Sequence, residues 1–178
     1  RQLTADRRKE GRSSTVSIDK DDLRVRYSAA RTGRIVCARL LPGTDLLDGI
    51  AKLCDENGIK YGYVPVCFGS LARAGYQYLV PNREAKIGAG YGEIKRLEGP
   101  VEFLAGTGVI CQERGRTSIH FHATLCDSEG KVVGGHMVAR ENPVLTTVDL
   151  VVEEVLGTRL IRKFDEETQL VQLSVEKE

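Results

Sequence analysis

Apolar and polar residues alternate with a two-residue period along most of this chain, and one stretch departs from it. Leu46, Leu47, Ile50, Ala51, Leu53 and Cys54 recur at helical spacing, which predicts an amphipathic helix over 44–57. Thr44 is the expected N-cap, Asp45 and Asp48 the acidic first turn, and Asn57-Gly58 the stop. Before it, 35–41 reads as a strand. After it the chain turns β-rich: strands over 61–68 and 71–80 broken at Gly69-Ser70, a weaker glycine-rich strand over 85–91, and a segment 92–97. Pro100 is read as the break before a strand over 101–111. Asp127-Ser128-Glu129-Gly130 is a hairpin turn between two alternating runs. Asn142-Pro143 interrupts the chain again, 144–156 reads as strand or helix, and short strands near 160–164 and 170–175 follow. One helix followed by many strands predicts a single α+β domain with a mostly antiparallel or mixed sheet over 33–178. Residues 1–32 lack periodicity and are expected to form a flexible or loosely docked arm.

Composition narrows the class. With 178 residues and 41% hydrophobic content, the chain can build one proper core. No apolar run approaches the ~20 residues that cross a bilayer, so no membrane partner is expected. The five cysteines, Cys37, Cys54, Cys67, Cys111 and Cys126, form no C-x-x-C pair, which suits reduced thiols and a cytoplasmic setting. Net charge is +1, but residues 1–34 hold ten Lys/Arg against five Asp/Glu, and residues 35–178 hold sixteen against twenty. Any DNA contact would therefore fall to the tail around Arg7-Arg8-Lys9-Glu10-Gly11-Arg12, because phosphate neutralisation supplies most non-specific affinity.

All three histidines, His120, His122 and His136, lie within seventeen residues. His120 and His122 share one face of a strand, about 7 Å apart. Folding back at 127–130 places His136 opposite His122 or one residue diagonal from it. Three imidazoles then converge from two adjacent strands, as a polar cluster or as a metal site. Their concentration favours the metal site. Zinc is the default divalent ion for such a set, with nickel, copper, cobalt and iron chemically permitted. Three protein ligands leave a fourth position open, the pattern of catalytic sites.

Several segments together resemble the plant-and-prokaryote-conserved (PPC) domain. They are Arg39-Leu40-Leu41-Pro42-Gly43-Thr44-Asp45 with its helix, Phe68-Gly69-Ser70-Leu71-Ala72-Arg73-Ala74, Leu97-Glu98-Gly99-Pro100-Val101-Glu102-Phe103-Leu104, Ile119-His120-Phe121-His122-Ala123, and the run from Asp127 to His136. The resemblance covers about residues 33–175. It implies a homotrimer whose three histidines hold a metal, usually zinc. It also carries a DNA-binding label, because plant members bear Arg-Gly-Arg-Pro elements; Glu10-Gly11-Arg12-Ser13 is not one. Cupins share His-x-His with a following acidic residue and glycine, here Asp127 and Gly134, but place their last histidine in a separate later motif.

Further candidates are weaker. Ser70 and Arg73 could bind an anionic small-molecule ligand, and Glu98 or Glu102 could act as general base or fourth ligand. Each has an ordinary structural alternative, a salt bridge for the arginine and exposed strand ends for the glutamates. Gly88, Gly90 and Gly92 do not form a phosphate loop, since no helix follows a strand there. Two functions remain: a metal-binding trimer acting on or binding a small molecule, and a DNA-associated regulatory protein with a structural metal.

Overall fold

A computed structural model describes residues 24–178. Its helix, α1 (Leu46–Glu56), buries Leu46, Leu47, Ile50 and Cys54, the stripe that the spacing predicts. The N-cap is Asp45 rather than Thr44. One Asp45 oxygen accepts the Leu47 and Asp48 amides at 3.0 and 3.3 Å, and the other accepts the Asn142 amide at 2.9 Å. A carboxylate can serve both partners and also favours the positive helix end, which a threonine hydroxyl cannot match. Asn57 closes the helix through its side-chain amide to the Leu53 carbonyl, 2.8 Å.

The strands are β1 (Arg31–Leu40), β2 (Gly62–Gln77), β3 (Leu79–Pro81), β4 (Ala89–Tyr91), β5 (Lys95–Glu113), β6 (Arg116–Cys126), β7 (Val132–Met137), β8 (Val144–Leu156), β9 (Thr158–Asp165) and β10 (Leu170–Lys177). Eight form one sheet in the order β1-β8-β2-β7-β6-β5-β9-β10, and β3 pairs with β4 apart from it. Residues 144–156 are thus a strand, as β partners on both sides require. β2 also pairs with β5, so β2, β5, β6 and β7 close into a ring. Around the ring, Phe103 and Phe121 meet edge-to-face with centroids 6.3 Å apart, and Leu71, Val101, Leu125, Met137 and Val148 are fully buried.

Two expected breaks are absent. β2 runs through Gly69-Ser70, where its register against β8 shifts; Gly69 has φ 152°, and a Cβ there would sit 2.1 Å from the Thr147 carbonyl oxygen. The glycine makes a bulge, not a stop. β5 runs through Gly99-Pro100, opposite a register shift between Leu71 and Arg73 of β2. Proline is tolerated at such an irregularity because no regular ladder bond is required of it.

Asn142, fully buried, explains the interruption before β8. Its side-chain oxygen accepts the Gly75 amide at 2.9 Å, its side-chain nitrogen donates to the Val138 carbonyl, and its backbone holds the start of α1. Of the arm expected over 1–32, residues 1–23 lie outside the described residues. Arg24 pairs with Glu167 at 2.7 Å, Ser28 bonds Thr158 at 2.7 Å, and Arg31 and Thr32 already belong to β1. Among the described residues no helix is long and apolar enough to cross a membrane.

Candidate metal centre

The turn after β6 is built by Asp127. Its carboxylate accepts the Glu129 and Lys131 amides at 3.0 and 2.8 Å, and Gly130 supplies a positive φ of 82°. This fixes the β6–β7 register so that His122 pairs directly with His136. Two glycines precede His136 because β7 is squeezed between neighbours. A Cβ on Gly134 would lie 2.2 Å from the Ala123 carbonyl oxygen, and one on Gly135 would lie 2.5 Å from that of Gln77.

The three rings therefore converge. Centroids are 5.1 Å apart for His120 and His122, 5.0 Å for His120 and His136, and 5.4 Å for His122 and His136. Their ligating nitrogens all lie within 4.8 Å of one another, and the His120 and His122 Nε2 atoms are 3.1 Å apart. Tetrahedral zinc with its usual bonds to nitrogen needs ligand nitrogens about 3.3 Å apart. His136 Nδ1 is buried with no hydrogen-bond partner, and such an atom is costly unless something satisfies it. The residues fit a divalent ion.

Electrostatics point the same way. Burial, Arg162 and His122 push the His120 imidazole down to about 4. Burial pushes His136 down to about 4 as well, with His120, His122 and Arg162 contributing. Both rings are neutral at pH 7, the form that ligates. Three buried thiols are held protonated: burial raises Cys54 and Cys111 to about 11 and Cys67 to about 12. Cys126, opposite Val132, points its thiol at the Asp127 carbonyl.

The other sequence candidates do not gather here. Ser70 and Glu102 face each other across β2 and β5 and line a separate cleft with Phe68, Asp127 and Leu145. Ser70 bonds the Thr146 hydroxyl there. Arg73 is the strand partner of Glu98. Neither glutamate belongs to the group of convergent ligand atoms, which among the described residues consists of the three histidines. The cleft that borders His122 is lined by Pro65, Thr107, Thr124, Val132 and Gly134. Sequence reasoning missed Tyr91, whose ring lies 5.1 Å from that of His136, and Arg162. Tyr91 sits in the glycine-rich segment over 85–91, but nothing local marks it as the histidine's neighbour.

The sequence profile of the Plants and Prokaryotes Conserved (PCC) domain matches residues 27–156. The chain belongs to this family. The match takes in β1 to β8. The chain is 28% identical over 147 residues to the bifunctional protein GlmU of Synechococcus sp. (strain JA-3-3Ab), covering 81% of this chain and 21% of that protein. It spans about a fifth of the length of the curated relatives it matches. Among solved structures, a metal-containing protein from Archaeoglobus fulgidus superposes with a TM-score of 0.73 at 25% identity, over 84% of this chain and 99% of that one. A protein from Ralstonia eutropha JMP134, named as a DNA-binding candidate, superposes with a TM-score of 0.65 at 25% identity, over 78% and 89%.

Proposed function

We propose that this PCC-domain protein binds one divalent metal ion, zinc by preference, through His120, His122 and His136, and that it does so as a homotrimer that binds or transforms a small molecule. Three convergent imidazole nitrogens, one on a ring whose Nδ1 is buried and unpartnered, carry this reading. The metal-containing relative from Archaeoglobus fulgidus supports it. When bound, such an ion supplies Lewis acidity to an oxygen ligand, the chemistry of hydrolysis, hydration or lyase reactions. The chain's own residues set the access. Tyr91 stacks against His136 and His136 is half-buried, while His122 is exposed beside its cleft. The subunit contact is supported by Phe68 and Leu145, apolar residues 48% and 39% exposed in one cleft, since adjoining apolar side chains left open on a monomer favour association.

Elemental mass spectrometry on protein purified without chelator tests the site. About one zinc per chain is expected in the wild type, and none in a His120→Ala/His122→Ala variant. Equal metal in both proteins would defeat the proposal. Light scattering coupled to size exclusion checks the trimer.

A second reading makes the protein DNA-associated through its basic amino-terminal segment, with a structural metal; the Ralstonia eutropha relative favours it. The excess of acidic residues over 35–178 weighs against a phosphate-binding body. It predicts duplex affinity that falls steeply with salt and is lost in an Arg7→Ala/Arg8→Ala/Arg12→Ala variant, read by fluorescence anisotropy.

A further inference from the structure

The histidine face of the sheet extends beyond β6. Val109 of β5 is the strand partner of His120, and Cys111 is the partner of Ser118. Residues two apart share a face, so Val109, Cys111 and Glu113 lie on the side that carries Ser118, His120 and His122. β9 joins β5 in parallel with Gln112 against Ile161, which puts Arg162 on this same side, next to Glu113. The side-chain contacts agree. Arg162 Nε lies 3.9 Å from Glu113 Oε2. That same carboxylate oxygen accepts the Ser118 hydroxyl at 3.2 Å, one strand repeat before His120. Arg162 also donates to the Val171 carbonyl of β10 at 3.1 Å, and its side chain is only 16% exposed.

A guanidinium held this deep is expected to be matched by acid, yet its one carboxylate neighbour stands off at 3.9 Å. No carboxylate joins the three histidines among the described residues. Among the described residues, Arg162 is the charged neighbour other than a histidine that acts on His120 and His136, and its field reaches Cys111 too. Three neutral imidazoles around a dication leave its charge uncompensated, and Arg162 adds a further positive charge on the same face. Such a site is built to receive an anion, and arginine presents a planar fork suited to an oxyanion.

We propose that Arg162 forms, with the three-histidine centre, a subsite for the carboxylate or phosphate group of a small-molecule ligand. This rests on the metal reading above and names its ligand class. The subsite joins the carboxy-terminal hairpin of β9 and β10 to the histidine face of β5 and β6, and it sets which ligands this chain accepts. Arg162 binds the anion while the histidines hold the ion; Glu113 tethers the guanidinium and competes for its charge.

Isothermal titration of zinc-loaded protein with inorganic phosphate and, separately, with acetate tests this. Zinc per chain is measured on every sample. Binding of at least one anion to the wild type is expected, weakened about tenfold or more in Arg162→Gln with zinc content unchanged, and weakened less in Arg162→Lys, which keeps the charge but loses the fork. Glu113→Gln, which leaves Arg162 and its bond to Val171 in place, is expected to tighten binding. Whichever anion binds more tightly identifies the ligand group. Absence of binding by both anions to the wild type, or equal affinity in wild type and Arg162→Gln, overturns the proposal. A wild type that holds no zinc overturns the metal reading, and the same titration on that protein then decides the Arg162 subsite separately.

Discussion

At the scale of single residues, two buried polar residues, Asn142 and Glu154, tie together segments far apart in the chain. Asn142 joins β2 to the segment after β7 through its side chain and holds the start of α1 through its backbone. Asn142→Ala strands the Gly75 amide and the Val138 carbonyl in a buried place, each costing about 1–3 kcal/mol. The expected loss is about 2–6 kcal/mol in urea unfolding. Glu154 is bound by Arg34 three ways, from the amide at 3.1 Å, Nε at 2.9 Å and Nη2 at 2.8 Å. These bonds hold its carboxyl at about 2, below the ordinary 4.5. The unfolded chain therefore takes up the proton first. The contribution is complete above about pH 4.5 and fades as pH falls toward 2. Arg34→Met should flatten that part of the stability–pH curve, measured by urea midpoints between pH 5 and about pH 3. Sequence alone made the histidines legible, because they are few and close together. It could not reveal Tyr91 or Arg162, whose neighbourhoods are made by strands far apart in the chain.

At the scale of elements, regular alternation and helical spacing identified α1 and most of the strands. The two misread breaks share one cause. Gly69 and Pro100 are local stop signals, but each sits where pairing is already irregular, and the long strands absorb the defect as a bulge. Thr44 and Asp45 are both good caps, and only the distant Asn142 amide decides between them. β7 offers the sharpest element-scale test. Its glycines allow contact with β6 and β2 at distances no Cβ tolerates. Gly135→Ala should push β7 off β2, lower the melting temperature by several degrees, and reduce bound metal. Calorimetry and elemental analysis on one preparation check both effects.

Across the whole molecule, attachment is uneven. β9 meets β5 through one register pair, Gln112 with Ile161, while β5 and β6 pair along eleven positions. Amide exchange should therefore be faster in β9 and β10 than in β5 and β6, a contrast that hydrogen-exchange mass spectrometry resolves. Chelator should lower the melting temperature of the wild type and leave that of His120→Ala/His122→Ala unmoved, since an ion bound only by the native state stabilises it. β7 reaches β2 through just two pairs, Tyr76 with Met137 and Gln77 with His136, so one of the proposed ligands sits on the seam where the circuit of strands shuts. An ion shared by His120, His122 and His136 would act as a clasp on that seam. Its departure would then be timed by the seam's parting, so the off-rate measured with an excess of competing chelator should be independent of chelator concentration and should quicken in Gly135→Ala.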